Sequence, residues 1–425
     1  MGVPEGIKGA PDRLPAEAAG LEHVEAAFLE TARRAGYERV RLPVFEHTEV
    51  FARGVGESTD VVQKEMYTFT DKGGRSLTLR PEGTAGAVRA ALQAGVPKAG
   101  GLPAKWCYVG EFFRQERPQA GRQRQFTQVG IEALGVCDPA LDAEVVLLGW
   151  EALQRAGVRD VTLRLNTLGD RADRGPYRER LNAYLDGIED LPPDVEARRR
   201  LNPLRAFDSK APGMAEIMAD APLLADHVSD EAKDHHQQVV ELLEGQRLPL
   251  VHDARLVRGL DYYTRTTFEY QAGGLGAQNA VGGGGAYDGL ATDLGWDEPF
   301  PGIGWALGVD RTVLALSQAG LLPDPPSRVE VFVAVADPAL GADAFGLVAE
   351  LRRGGVAADQ AFGGRSLKAQ LKAADRSGAR VAVVLGPAEA ERGTVTVRDL
   401  ASGQQSEVAR DEVVRTLARG SLAGG

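Results

Sequence analysis

Cysteine is almost absent from this chain: two residues in 425, Cys107 and Cys137. They form no CxxC pair and match no zinc spacing, so neither a disulfide framework nor a cysteine-held metal is expected. Two reduced thiols in a cytosolic protein are the simplest reading. No apolar run reaches 18 residues, which excludes a helical membrane span. The opening stretch MGVPEGIKGAPDRLP has no apolar core segment, so no secretory signal is expected. Positive charge is scarce too. The net charge is −11, the wrong sign for a chain that binds nucleic acid over its whole surface, and RNA contact would need a local patch. From Arg328 onward 13 basic residues stand against 12 acidic ones, which leaves −12 on the rest. The tail permits RNA contact without showing it. Low-complexity sequence is confined to the four glycines Gly282–Gly285.

What is present is ordinary globular material, 43% hydrophobic and 26% charged, long enough for two or three domains with full cores. Leu21, Val24, Phe28 and Ala32 recur at helical spacing and predict a helix over Ala16–Gly36, stopped by its glycine. A strand is expected at Val40–Glu46. Pro43 cannot donate to a ladder, so this strand belongs at an edge or an interface, and an ordinary edge strand fits as well. Strand-like runs follow at Ser76–Arg80, Trp106–Arg114, Phe126–Leu134, Val161–Asn166, Arg255–Arg258 and Thr266–Gln271, with a hairpin between Arg114 and Phe126 and a helix at Ala140–Ala156. They suggest a largely antiparallel sheet with flanking helices. Residues 170–249 change character, with scattered prolines and helical patterns; they read as a helical insertion or as part of the same core. LLPDPPSR at Leu321–Arg328 suits an interdomain linker. Beyond it strands and helices alternate, which argues a small α/β domain.

The most telling segment is LVRGLDYYTRTTFEY, Leu256–Tyr270. It sets a lone cation, Arg258, beside Gly259, then an acid, two tyrosines and a strand-like run. That combination suits a pocket holding a small polar molecule against negative charge. Three more segments accompany it: TLRPEGTAG at Thr78–Gly86, FRQERPQAGRQRQFTQVGIEALG at Phe113–Gly135, and GIGWALGVDRTVLAL at Gly302–Leu316. Together they resemble the signature segments of histidyl-tRNA synthetases, which are class II aminoacyl-tRNA synthetases. LVRGLDYY is specific to the histidine enzymes and their close paralogues, and the others mark class II enzymes generally. The resemblance implies an α+β catalytic domain built on the class II antiparallel sheet with flanking helices (1–169 and 250–323), a helical insertion (170–249), a linker (324–328) and a small α/β anticodon-binding domain (329–425). It also implies a cytoplasmic homodimer, with the first helix and the Pro43 strand at the interface, no membrane partner, and L-histidine, ATP with Mg²⁺, and histidine tRNA as ligands. No residue is expected to act as a protein metal ligand.

The chemistry so implied has a clear physical demand. The histidine carboxylate attacks the α-phosphorus of ATP and pyrophosphate leaves. The nucleophile is already an anion, so no general base is needed. Two anions must instead be brought together and the spreading phosphoryl charge stabilised, which calls for fixed cations. Arginine suits this best, being always charged and able to grip phosphate with two donors. By resemblance, Arg114 grips the α-phosphate, Arg311 and Arg122 meet the γ-phosphate side, Glu116 belongs to the same ATP site, and Phe126 stacks on adenine. Arg258 lies between the histidine carboxylate and the α-phosphate. Glu82, Thr84 and Gln128 hold the α-ammonium. Glu132 and Tyr263 meet the two imidazole nitrogens, with Tyr262 lining the site. Neutral imidazole has one donor and one acceptor, and a site built on both rejects apolar isosteres by ~10⁴–10⁵. Arg117 and Gln119, in the loop Glu116–Gln125, match positions that meet the tRNA acceptor end.

Two departures from the family pattern stand out. GGAYDGL replaces the usual GGRYDGL, so Ala286 removes a cation, and KGAPD at Lys8–Asp12 replaces RGTxD. The alternative is the catalytically silent paralogue that regulates ATP phosphoribosyltransferase. That relative usually lacks the C-terminal domain and has eroded ATP and tRNA segments, whereas this chain keeps Arg114, Arg258, Arg311, the hairpin loop and the tail.

Overall fold

In the computed structural model, residues 2–418 are described apart from 57, 58, 210, 277 and 278. The last seven residues of the segment 329–425 therefore lie outside the described residues. The chain divides into two compact units, the first ending at Pro323 and the second starting at Asp324. Among the described residues no helix is long and apolar enough to cross a membrane.

The strands are numbered in chain order. β1 (Glu38–Arg39), β2 (Phe45–His47), β3 (Tyr67–Thr70), β4 (Ser76–Leu79), β5 (Ala104–Phe113), β6 (Gln125–Leu134), β7 (Val161–Thr167), β8 (Leu250–His252), β9 (Thr264–Ala272), β10 (Ala280–Ala286) and β11 (Gly302–Gly308) belong to the first unit. Eight of them form one sheet in the order β1-β5-β6-β11-β10-β9-β7-β8. It is antiparallel except for the edge pairs β1/β5 and β7/β8. The hairpin β5–β6 runs in continuous register from Ala104↔Leu134 to Phe113↔Gln125. The helices Pro15–Arg34, Pro139–Ala156, Asp230–Glu244 and Val309–Gln318 cover one face, and Val24, Phe28, Val145, Val146, Leu153, Val239 and Leu316 join strand residues such as Ile131, Phe268 and Trp305 in the main core.

The expected strand at Val40–Glu46 does not form as one: only Phe45 and Glu46 are in a strand, and residues 40–44 link two short strands of different sheets. β1 ends at Arg39 and pairs with β5, while β2 begins at Phe45 and joins a three-stranded sheet with β4 and β3. The Pro43 segment lies between them. The Arg80 guanidinium satisfies it by donating to the Leu42 and Pro43 carbonyls at 2.9 and 3.3 Å, so these carbonyls need no strand partner. The expected strand at Arg255–Arg258 is also absent. β8 ends at His252, the Asp253 carboxylate accepts from Arg255 N at 3.2 Å to make a turn, and residues up to Asp261 form an irregular loop.

The segment 170–249 is helical but not a body of its own. Tyr177, Leu181, Leu204, Met214 and Leu224 share a hydrophobic cluster with Tyr262, Tyr263 and Tyr287, and the helix Asp230–Glu244 packs into the main core. The second unit holds β12 (Val331–Val335), β13 (Ala358–Gln360), β14 (Val381–Leu385), β15 (Thr394–Asp399) and β16 (Gln405–Ala409), in the order β13-β12-β14-β15-β16. The helix Gly341–Arg353 supplies Ala344, Leu347, Val348 and Leu351 to its core.

Candidate active site

A cavity of about 830 Å³ opens over the sheet of the first unit. β6, β9, β10 and β11 build its floor. The loop after β5, the loop before β9 and the start of the helix Val309–Gln318 form its rim. Of the residues singled out in sequence, Glu82, Thr84, Arg114, Glu116, Arg122, Phe126, Gln128, Arg258, Tyr262, Tyr263 and Arg311 line it. They come from segments as far apart as 82 and 311, and only the fold brings them together. Arg117 and Gln119 do not line it. They lie exposed on the β5–β6 loop, where Gln119 and Arg122 exchange backbone hydrogen bonds of 2.9 Å.

Four guanidiniums ring the space. Arg114 is fixed by Nε donating to the Pro81 carbonyl at 3.0 Å and by its position 5.3 Å from the centre of the Phe126 ring. Arg311 donates from Nε to the Ala280 carbonyl at 2.6 Å. Burial, and next the charge of Arg122, hold its pKa below the usual arginine range. Arg122 reaches Glu116 at 3.5 Å. Arg258 pairs with Glu269 of β9, a carboxylate that nothing in the sequence pattern distinguished. β10 makes room for that pair: a Cβ on Gly283 would come within 2.9 Å of the Arg258 guanidinium carbon. The glycine run is thus a strand between two others, not a flexible loop. Glycine is required there because a side chain would strike its neighbours.

The same cavity also holds acidic and phenolic groups. The buried Glu82 carboxylate accepts from Thr84 N at 2.7 Å and Ala85 N at 2.9 Å, at the start of the helix Thr84–Gln93. The Tyr262 hydroxyl donates to it at 3.4 Å. Burial pushes its pKa up, against the pull of those two backbone donors. The Gln128 carbonyl oxygen faces the same region, buried and without a hydrogen-bond partner, so it is available to a ligand donor. Tyr262 and Tyr263 meet edge to face with centroids 4.6 Å apart.

Glu132 is set apart. It shares β6 with Gln128 but is fully buried and does not line the cavity. Thr84 donates to its Oε1 at 2.8 Å, Tyr108 to the same oxygen at 2.9 Å, and Tyr287 to Oε2. Burial pushes its pKa up to about 8, although all three hydroxyls favour the carboxylate. Tyr108 and Tyr287 were not singled out. Their signal was faint: Tyr287 lies two residues past the glycine run, and Gly83 and Gly130 clear the space for the Tyr108 ring, which a Cβ on either would strike.

The chain has counterparts among known proteins. A model described as "Histidyl-tRNA synthetase" matches residues 9–169 and 186–312, and one described as "Anticodon binding domain" matches 330–419. The chain belongs to the histidyl-tRNA synthetase family. It is 51% identical to a histidine–tRNA ligase of Corynebacterium urealyticum, over 97% of this chain and 96% of that one. It is 52% identical to the histidine–tRNA ligase of Nocardia farcinica, over 96% of each. Among solved structures, apo histidyl-tRNA synthetase of S. aureus superposes with a TM-score of 0.83 at 32% identity, covering 98% of this chain and 100% of that one. The likeness to both ligases runs through the C-terminal unit, which the regulatory paralogue usually lacks.

Proposed function

We infer that this chain activates L-histidine with ATP to histidyl-adenylate and transfers the histidyl group to the 3′ end of histidine tRNA. The carrying observation is the cavity itself. Arg114, Arg122, Arg258 and Arg311 share it with Glu82, Gln128 and two tyrosines, in a chain about half identical to histidine–tRNA ligases along almost its whole length.

In the reading proposed for the site, one histidine carboxylate oxygen bonds to the α-phosphorus while the bond to pyrophosphate breaks. Arg114 holds the α-phosphate, Arg122 and Arg311 the β/γ end, and Phe126 the adenine. Arg258 neutralises charge as nucleophile and phosphate meet. Glu82, Thr84 and Gln128 take the α-ammonium; the unpartnered Gln128 oxygen supports this. Tyr263 faces the imidazole. Glu132 works from behind the wall, fixing the hydroxyls of Thr84, Tyr108 and Tyr287, because its own oxygens are already engaged. Mg²⁺ arrives with ATP. Among the described residues no three His, Cys, Asp or Glu side chains cluster as a metal cage. The ion is held mainly by phosphate, with Glu116 or Glu269 in reach. Arg117 and Gln119 meet the tRNA acceptor end, and the second unit meets the anticodon.

A homodimer is part of the proposal. Val44, Phe45 and Phe69 are exposed on and beside the three-stranded sheet, and the Phe45 and Phe69 rings pack edge to face at 6.3 Å. Exposed aromatics on one small sheet suit a partner surface. The cytoplasm is the expected location, where the tRNA substrate is found and where Cys107 and Cys137 stay as free thiols.

ATP–pyrophosphate exchange across the amino acids tests the reading. Exchange should depend on L-histidine. Faster exchange with another amino acid would sink the pocket assignment, and none at all would revive the regulatory-subunit reading.

A further inference from the structure

The loop that carries Arg258, Tyr262 and Tyr263 has no strand to hold it. Residues 253–261 follow an irregular path between β8 and β9. Three of its carbonyls are instead taken by side chains from elsewhere. Asn166 of β7 donates to the Leu256 carbonyl at 3.0 Å. Arg205 donates to the Arg258 carbonyl at 3.2 Å, and Arg174 to the Asp261 carbonyl at 3.2 Å. The Asp261 carboxylate completes the clamp. It accepts from Arg205 at 2.8 Å and from Asn202 at 2.9 Å, while its backbone N–H donates to the Val55 carbonyl at 3.1 Å. Arg205 sits in the 3₁₀ turn Pro203–Asp208 and its side chain is only 11% exposed.

We propose that Arg205, through Asp261 and the Arg258 carbonyl, is a positioning residue for the Arg258 guanidinium, so that a residue of the helical segment 170–249 that does not itself line the cavity takes part in histidine activation. The proposal rests on the reading of Arg258 as the cation at the α-phosphate. Its physical basis is that one guanidinium holds the loop at both ends of the turn that launches Arg258. It grips a backbone oxygen at residue 258 and a carboxylate three residues later. The carboxylate contact is charge-assisted and partly buried, which makes it stronger than a neutral hydrogen bond. At the side-chain end Glu269 holds the Arg258 guanidinium. Arg258 is therefore fixed at its base by one element and at its tip by another. A small shift of a reacting group away from its aligned position costs rate rather than affinity.

Single-turnover adenylate formation at saturating ATP and histidine tests this, with the full-length chain and with KM for both substrates measured alongside. Arg205→Ala should slow the step by about tenfold to a hundredfold and leave both KM values within about threefold. Arg205→Lys should recover part of the loss, since an ammonium reaches one acceptor but cannot span two. In an Arg258→Ala background the same Arg205→Ala change should alter the rate by no more than about twofold, because the two act through one guanidinium. A full multiplicative loss in that background would show Arg205 acting on the fold at large and would overturn the proposal. So would a rate for Arg205→Ala within about twofold of the parent while Arg258→Ala is slow. If Arg205→Ala gives too little folded protein, Arg205→Met keeps much of the packing, removes both donors and is held to the same criteria. A normal rate for Arg258→Ala would remove Arg258 from the mechanism, and the positioning role with it.

Discussion

Arg258 is held by a carboxylate before any substrate arrives, and this shapes what its loss should do. Removing one preorganised donor to developing charge typically lowers kcat by ~10²–10³. Arg258→Ala should therefore slow single-turnover adenylate formation by that amount, with less effect on the KM for ATP. Arg258→Lys should restore only part, lacking the planar fork. A rate within about threefold of the parent, short of the tenfold that ~1.4 kcal/mol represents, would exclude Arg258 from the step. The arginines were legible in sequence because each sits in its own segment with a recognisable neighbour, such as Gly259 beside Arg258. Glu269, Tyr108 and Tyr287 were not, since their importance lies in a partner contributed by another strand. Glu132 shows the limit from the opposite side. Its place with Gln128 on the strand Phe126–Leu134 was readable, but not that three hydroxyls would occupy its oxygens.

At the scale of elements, β10 and the helix Asp230–Glu244 make the clearest predictions. A Cβ on Gly284 would come within 2.8 Å of the Trp305 Cα in β11, so Gly284→Ala should cost at least ~1–3 kcal/mol through overpacking. Thermal unfolding reads this, and a midpoint within about 1 °C of the parent would contradict it. In the helix, burial, reinforced by the nearby His252 and His235 charges, lowers the pKa of His236 from 6.5 to about 4. Between those values the unfolded chain binds a proton that the folded chain does not, so stability falls as the pH drops. His236→Leu removes that titration. The variant should lose less stability than the parent between about pH 7 and pH 4.5, by roughly 1–2 kcal/mol, since each tenfold loss of proton affinity on folding corresponds to about 1.4 kcal/mol. Urea unfolding at the two pH values decides, and parallel losses would assign the acid sensitivity elsewhere. Long periodic elements such as the helix Pro15–Arg34 were legible from sequence because their pattern repeats over several turns. The Val40–Glu46 and Arg255–Arg258 segments were not. Both are extended and apolar enough to resemble strands, yet side chains of Arg80, Arg205 and Asn166 take carbonyls that a neighbouring strand would otherwise have claimed.

For the molecule as a whole, the division at Pro323 and Asp324 separates two bodies, each with its own sheet and core. Deleting the chain after Pro323 should leave adenylate formation largely intact and cripple tRNA charging, because no residue of the cavity lies beyond that point. Equal loss of both activities would show instead that the second unit supports the first. Light scattering at micromolar concentration should give the mass of a dimer, and a monomeric mass would leave the exposed face around Phe45 without the partner proposed for it. The architecture was readable from the alternation of strands and helices and the proline cluster at 323–326. Sequence did not decide between an insertion and part of the same core for residues 170–249, because the answer depends on apolar side chains such as Tyr177 and Leu181 finding Tyr262 and Tyr263 across the fold.

Gly282 and Gly283 form part of the cavity wall with backbone alone. Their neighbours leave no space for a methyl group, since Gly282 faces the backbone of Leu307 and Gly283 the Phe268 carbonyl. An inhibitor anchored on the amides and carbonyls of this strand would press against a surface with almost no freedom to vary. A cell escapes most inhibitors by exchanging a side chain at the point of contact. Here any exchange adds atoms where none fit, so drug resistance would have to arise at the rim, around the β5–β6 loop, and would be found there first.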